Sequence, residues 1–532
     1  MKTEEFPVSK DAAEALIEVL GSGKNNEGDK RDRAVYVNLS MVRLQMAWVM
    51  PKLLYAKGVA DKLSAEVYVI CWRENELFEK LLANMGMKLL CLEKLLRKDI
   101  GGSISAALKT VGFIIADGSG AGLKKLRYKK VSAGKYLYED IIRTSSLSTI
   151  RSARNKTCIK KILHILWMCA ALDEFLDKHK PVYAVTDDLA YHEAIILCLL
   201  KKHGAKMRNI STRAEEEVFF DNKGEPVRRG GWTHDRIAGQ LDDVEDAALQ
   251  AEELLAANFA GISGRSIDRG AFKGKEILSR EELTKQLGLD PAKKNAVIMA
   301  HTFTDAVFNY GDLYFRDYYD WLDQTLRMAE DIDTVNWILK PHPTRKAYNE
   351  DTDSIEMMFE RHKKPHIFLL PDKVSGGSIK ELADVLLTIG GNAGAEFACF
   401  GIPAIIAGKP YYRGFGYTVE PRDINEYEKT LRGIADISPL SEEQIETARK
   451  IYYYKKKGKR YNRRFEDELG AGLQELYTQM QDKMAISYFE SNKGTKEYND
   501  KVCSFLTEYF KKNGITENEY YKRGMQRGDE LK

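Results

Sequence analysis

Cysteine pairs at metal-binding spacing are missing from this chain. Its seven cysteines (positions 71, 91, 158, 169, 198, 399 and 503) are scattered, mostly inside apolar runs. No CxxC and no Cys/His cluster occurs, which excludes a zinc finger and a disulfide framework and points to a reducing compartment. No GxxxxGK(S/T) is present, which argues against a P-loop ATPase. An excess of one charge is missing too: 82 Lys and Arg against 79 Asp and Glu leave a net +3, so no nucleic-acid partner is expected. Long hydrophobic runs are absent. The longest, Ile162 to Leu172 (ILHILWMCAAL), is too short to span a bilayer. The opening MKTEEFPVSKDAAEAL has early acids and no apolar signal core. A cytoplasmic location is expected, with contact at the inner face of the cell membrane left open.

What is present is a soluble composition, 44% hydrophobic and 30% charged, over 532 residues. That length is too great for one ordinary core. Strand-like runs alternate with helical patterns in two stretches. The first holds Ala34 to Leu39, Ala65 to Cys71, Phe113 to Ala116 and Val182 to Thr186, with helices at Asn75 to Met85 and Lys160 to His179. The second holds Ala296 to Ala300, Val335 to Lys340, His366 to Leu370, Val385 to Ile389 and Ala404 to Ala407. Such alternation predicts α/β folding with parallel, doubly wound sheets. Ser279 with Glu282, and Ser441 with Gln444, mark helix starts. The expected organisation is an N-terminal Rossmann-like domain over 1–240 and a helical linker over 241–292. A C-terminal Rossmann-like domain over 293–455 and a helical tail over 456–532 complete it.

The densest signal is LLTIGGNAGAEFACFGIPAIIAG, Leu386 to Gly408. A short strand runs into Gly390-Gly391-Asn392-Ala393-Gly394, and Glu396 follows on a helix. Glycines let a backbone approach a ligand, and free N–H groups at a helix start attract phosphate. Glu396 would then face ribose or sugar hydroxyls, because a carboxylate beside phosphate repels it. Lys340-Pro341-His342-Pro343-Thr344-Arg345 ends another strand, aiming His342 and Arg345 from the sheet edge as phosphate donors. Two anion-friendly strand ends suggest a nucleotide diphosphate or a nucleotide-activated sugar. Lys409, Tyr411 and Arg413 lie in a glycine-rich loop that either covers a base or sugar or is simple surface.

His301, Thr304, Asp305 and Asn309 follow the 296–300 strand. They line the acceptor side with Asp305 as a base, or Asp305 caps the next helix. In the first half, Asp187 or Asp188 caps a helix, or one of them or His192 is an acceptor-side base. Gly134, Tyr138 and Arg143 are weaker acceptor-side candidates. DxD-like pairs at Asp331/Asp333 and Asp351/Asp353 sit in the wrong context for a metal, so none is expected. Lys450 to Arg464 (KIYYYKKKGKRYNRR) carries eight basic residues among aromatics. It is either a solvated helix face or a seat for an anionic membrane or polyanion.

These motifs resemble bacterial capsule and surface-polysaccharide glycosyltransferases of the GT-B type. The resemblance runs from about 125 to 455 and is carried by VNWILKP followed by His342-Pro343. The block HTFTDAVFNYGDLYFRDYYDWLDQTL at 301–326, the glycine-rich stretch and Tyr128 to Arg143 also carry it. It implies two Rossmann-like domains facing a cleft, no metal or cofactor, and a donor phosphate contacted by His342. CDP-glycerol glycerophosphotransferases share the His-Pro turn, but their cradle usually reads Asp-Tyr-Ser-Ser where this chain has Gly-Gly-Asn-Ala. Glycerophosphate transfer is correspondingly disfavoured. The expected activity is transfer of a sugar from a nucleotide donor to a growing surface glycan or lipid-linked glycan. A nucleotide-sugar epimerase or a non-catalytic glycan-assembly component are the alternatives. The sugar, linkage, acceptor and oligomeric state stay open.

Overall fold

The computed structural model describes residues 7–21, 33–40, 45–145, 147–211, 214–227, 246–260, 274–308, 313–343, 345, 353–457, 463–464, 467–477, 479 and 493–532. The chain divides into two compact units. One comprises Met1–Asp140, Ser152–Gly230 and Lys459–Lys532, the other Ile141–Arg151 and Gly231–Gly458.

The first unit is built on seven strands: Ala34–Asn38, Glu66–Cys71, Lys88–Cys91, Pro181–Thr186, Lys206–Ile210, Ala214–Glu217 and Arg463–Arg464. Their spatial order, by first residue, is 463, 214, 206, 181, 34, 66, 88. The pairs from 206 to 88 are parallel, and the two pairs involving 214–217 are antiparallel. AVYVN is buried at every position, as a strand covered on both faces by helices requires. From Ala34–Asn38 the chain steps outward through two strands and then returns to Pro181–Thr186 on the other side. The sheet's switch point therefore lies beyond Asn38 and Thr186.

Of the helical tail expected over 456–532, residues 459–532 belong to this unit. Helix Glu519–Leu531 lies against helix Met46–Leu63 with the backbones nearly touching. A Cβ on Gly58 would collide with the Tyr521 carbonyl oxygen, and one on Gly524 with that of Tyr55. Only glycine permits this approach.

The second unit is a six-stranded, fully parallel sheet of Lys294–Met299, Val335–Lys340, Ile367–Leu369, Val385–Thr388, Ala404–Ile406 and Thr418–Val419. By first residue its order is 367, 335, 294, 385, 404, 418. This is the Rossmann order 3-2-1-4-5-6, with its switch point between the ends of 294–299 and 385–388. Ser279 and Glu282 form the expected capping box on helix Arg280–Leu287. Ser441 and Gln444 bond reciprocally at the start of Glu442–Lys457. The expected linker is represented by helices Ala247–Phe259 and Arg280–Leu287, whose Phe259 and Leu283 join this unit's core. Residues 241–245 and 261–273 lie outside the described residues.

The α/β class and both parallel sheets agree with the sequence reading, while several elements differ. Phe113 to Ala116 is not a strand but the last turn of helix Ile100–Ala116. Four apolar residues in a row do not distinguish a buried strand from a helix end. Strands Lys88–Cys91, Lys206–Ile210 and Ala214–Glu217 escaped notice because KMRNI and AEEE are charged and lie towards the sheet margins. Helix Tyr318–Ala329 is capped by the buried Asp317.

Candidate functional site

Three strands of the second unit release their chains at one edge. Lys294–Met299 runs into Ala300-His301-Thr302, Val335–Lys340 into Pro341-His342, and Val385–Thr388 into Ile389-Gly390-Gly391. Thr302 Oγ1 and His342 Nδ1 stand 3.1 Å apart, within hydrogen-bond distance. The imidazoles of His301 and His342 lie 6.3 Å apart at an interplanar angle of 23°. A Cβ on Gly391 would sit 3.2 Å from His301 Nε2 and 3.2 Å from Thr388 Oγ1. His301 therefore links the His342 turn to the glycine turn in one continuous rim at the switch point. His301, His342 and Gly391 are all partly exposed. Desolvation first, and then the neighbouring His342, lower the pKa of His301 to about 3. At neutral pH it is an uncharged imidazole with one N–H to donate.

The glycine turn has fewer available donors than the sequence suggests. Gly391 N–H donates to Thr388 Oγ1 at 3.1 Å. Gly394 N–H returns to Gly391 O, and the Ala395 and Glu396 amides to Asn392 O. The amides of Asn392 and Ala393, opening helix Ala393–Ala398, have no partner among the described residues, and the Asn392 side chain makes no cap bond. Tyr412 braces the turn. Buried, it donates its hydroxyl to Gly391 O at 2.7 Å and fills the space beside Gly394, where a Cβ would collide with it. The sequence reading named its neighbour Tyr411, which is also buried, with Lys455 Nζ 5.2 Å above its ring. The Tyr-Tyr pair was visible; which ring reaches the turn was not.

Several expected donor contacts are engaged elsewhere. Lys340 is buried and donates to Val374 O at 3.1 Å, with burial first and then Lys275 lowering its pKa to about 8. Arg345 forms a two-pronged pair with Asp372, both contacts 2.9 Å, and is also held by Glu356. Its backbone N–H and Nη1 both donate to His342 O at 3.2 Å. Arg345 is thus a positioning residue for the His-Pro turn, and its guanidinium is matched by two carboxylates rather than left for a phosphate. Glu396 accepts from Asn258 Nδ2 at 3.1 Å. Arg413 pairs with Glu420 at 2.9 Å, while Lys409 is exposed. Beside the rim sequence, Thr304 is buried and Asp305 exposed. Asn309 lies outside the described residues.

The first unit carries its own polar cluster at its switch point. Lys52, fully buried on helix Met46–Leu63, pairs with Asp187 at 2.7 Å. Glu193 is fully buried, with Oε1 3.5 Å from Thr186 Oγ1 and Oε2 without a partner. Burial first, then the charges of Asp187 and Asp188, raise its pKa well above the ordinary value and favour its protonated form. Asp187 and Asp188 do not cap the next helix: Ala190 is at that position, and Tyr191 N–H is met by Glu139 Oε2 at 3.3 Å. Tyr191 itself is in the left-handed region at φ 55, a strained backbone for a non-glycine residue.

His192 Nδ1 lies 2.7 Å from Asp140 Oδ1, and Trp72 Nε1 donates to His192 Nε2 at 2.7 Å. An indole N–H can only donate, so Nε2 is the accepting nitrogen and Nδ1 carries the hydrogen. Both ring nitrogens are occupied, which removes His192 as a base in this arrangement. Burial pushes Asp140 up, but His192 and Lys161 outweigh it and hold it at about 2. Sequence reasoning missed Lys52, Glu193 and Trp72. A lysine inside the apolar run MAWVMPKLLYA was the available signal. Gly134 is a packing glycine, since a Cβ there would collide with Leu123 O. Tyr138 is buried, with Lys124 Nζ 6.0 Å from its ring centre. Arg143 is half-buried on helix Gly134–Ser145, in the part assigned to the second unit.

No family model and no curated protein matches the chain. Solved structures do. One is a KpsC β-Kdo 2,4-transferase of Thermosulfurimonas dismutans, 13% identical over 51% of this chain and 80% of that one, at a TM-score of 0.31. Another is a UDP-GlcNAc 2-epimerase from Neisseria meningitidis bound to UDP-GlcNAc, 10% identical over 90% and 100%, at 0.18. A third is a glycosyltransferase from Rickettsia africae, 9% identical over 90% and 99%, at 0.21. At these identities and scores none of them bears on what this chain does, and its activity has to be argued from its own residues.

Proposed function

We propose that the protein is a glycosyltransferase that moves a sugar from a nucleotide-activated donor to a growing surface polysaccharide, with the donor held by the second unit. The observation that carries this reading is the continuous rim of Gly391, His301, Thr302 and His342 at the switch point of a 3-2-1-4-5-6 sheet, where such sheets take dinucleotide-like ligands. Imidazole donors and backbone amides there suit a diphosphate, and they would stabilise charge building on the leaving phosphate. Tyr412 and Arg345 support the reading from behind, because each fixes a carbonyl of the rim rather than meeting the ligand. A carboxylate has to take the acceptor hydroxyl's proton in an inverting course. Asp305 is exposed and adjacent to the rim in sequence, and stands ahead of Asp187 and Asp188, of which Asp187 is paired with Lys52.

The test is a thermal-shift screen against CMP-, UDP-, GDP- and CDP-linked compounds, followed by nucleotide release with and without a glycan acceptor. A matching ligand raises the melting midpoint by mass action. Release that depends on acceptor supports transfer. Turnover of the nucleotide sugar without acceptor identifies an epimerase instead. Unchanged glycan synthesis by His342→Ala and Gly391→Trp identifies a non-catalytic component.

A further inference from the structure

Helix Ile100–Ala116 turns its large apolar side chains away from the protein. Ile100, Ile104, Leu108, Val111 and Ile115 are 73, 59, 70, 57 and 76% exposed. At 3.6 residues per turn they fall within roughly 80° of the helix circumference and run for about 22 Å along it. The opposite side, with Ala106 and Thr110 buried, packs on helix Lys156–Lys178. A helix of a soluble protein ordinarily buries its large residues and exposes polar ones. Here small residues face inward and Ile, Leu and Val face out.

Positive charge borders this stripe. Helix Leu92–Lys98 ends in Arg97 and Lys98, both exposed, immediately before Ile100. Along the flank is an open hollow of about 600 Å³ lined by Lys109, Lys125, Arg127 and Lys129, together with Asp117. Lys109 Nζ sits 4.7 Å from the ring centre of the buried Tyr128. Lys129 is paired with Asp173, and the Asp117 carboxylate accepts the Ser119 N–H. An apolar stripe edged by basic groups matches a bilayer surface, where anionic headgroups lie next to acyl chains. The helix has 17 residues, about 26 Å against a hydrocarbon core of about 30 Å. One side of it is already packed on protein, so it lies on the surface rather than crossing. Among the described residues no single helix is long and apolar enough to cross.

We propose that helix Ile100–Ala116 docks the protein on an anionic lipid bilayer, its five apolar side chains entering between headgroups and Arg97, Lys98, Lys125 and Arg127 meeting the phosphates. The basic run Lys450 to Arg464 is used differently where it is described. Tyr452 and Tyr454 are buried, Lys450 pairs with Glu446, and Lys455 and Lys456 cover the rings of Tyr411 and Tyr452.

Co-sedimentation of the full chain with phosphatidylcholine vesicles and with phosphatidylserine-rich vesicles, without any sugar substrate, tests the proposal apart from the proposed activity. Binding to the serine-rich vesicles is expected to be at least roughly tenfold tighter and to weaken with salt. Ile104→Glu with Leu108→Glu is expected to weaken it at least roughly tenfold with an unchanged melting temperature, since both side chains are already in solvent. Lys125→Glu with Arg127→Glu is expected to remove the preference for anionic lipid. Failure of the native protein to sediment with either vesicle overturns the proposal, as does undiminished binding by the double glutamate variant. A dimer that Leu108→Glu dissociates, with no vesicle binding, assigns the stripe to a second copy and also overturns it.

Discussion

The two switch points occupy the same topological place and hold opposite chemistry. In the second unit the rim is made of imidazoles, a hydroxyl and a glycine turn, partly exposed, with His301 kept uncharged by desolvation. In the first unit the place is filled by Lys52, Asp187, Thr186 and Glu193, buried or nearly so and largely paired with one another. A parallel sheet supplies an open crevice wherever its strand order reverses. Whether that crevice suits an anion depends on the side chains at its edge. Donors without carboxylates suit a diphosphate. A lysine matched by a carboxylate is self-contained, and burial beside Asp187 and Asp188 pushes the surplus acid, Glu193, towards its neutral form.

The sharpest way to break this contrast is Lys52→Met. It removes the positive partner of Asp187, and breaking such a pair is expected to cost about 3 kcal/mol or more of stability. A chemical-denaturation midpoint that does not move would mean the cluster is not held together electrostatically. Next, His342→Ala or Gly391→Trp is expected to lower nucleotide-sugar turnover by about 100-fold, with His342→Ala leaving the melting temperature of the unliganded protein within a few degrees. Equal losses from Asp187→Asn and from these rim changes would erase the distinction between the two places.

Smaller effects separate the two units by pH. Above about 4.5 the unfolded chain ionises Glu193 while the folded one keeps it protonated, so this residue makes stability fall as pH rises. Glu193→Gln should therefore gain stability relative to the native protein on going from pH 5 to pH 8. His301 acts in the opposite sense. Its folded pKa of about 3 lies below the unfolded value of about 6.5, so the unfolded state takes up a proton first and stability falls as pH drops through that window. His301→Gln should recover about 2 kcal/mol at pH 5. Melting curves of both variants at pH 5, 6.5 and 8 check the signs, and matching slopes in the two variants would contradict them.

Much of the second sheet was legible because its strands are short apolar runs that end in glycine or proline. VNWILK followed by Pro341 and VLLT followed by Ile389-Gly390-Gly391 mark both the strands and the edge where they end. The partners of the side chains at that edge were not legible. Arg345 reads as a phosphate donor until Asp372, 27 positions later, is folded against it. Tyr412 and Tyr411 look equivalent until the loop places one hydroxyl on Gly391 O. His301 reads as a loop residue until two other strands bring His342 and Gly391 beside it. In the first unit, Lys206–Ile210 and Ala214–Glu217 are too polar to announce themselves as strands, because margin positions leave part of each strand in water. Helix Ile100–Ala116 misleads in the other direction, since its outward apolar face imitates a core element.

Calorimetric titration of the second unit's rim is the most direct measurement, using CDP, UDP, GDP and CMP on the native 532-residue protein, His342→Ala, Gly391→Trp and Asp187→Asn. The account predicts that one of these nucleotides binds the native protein and Asp187→Asn alike, with binding weakened by about 100-fold in the two rim variants. Equally tight binding in all four proteins would contradict it.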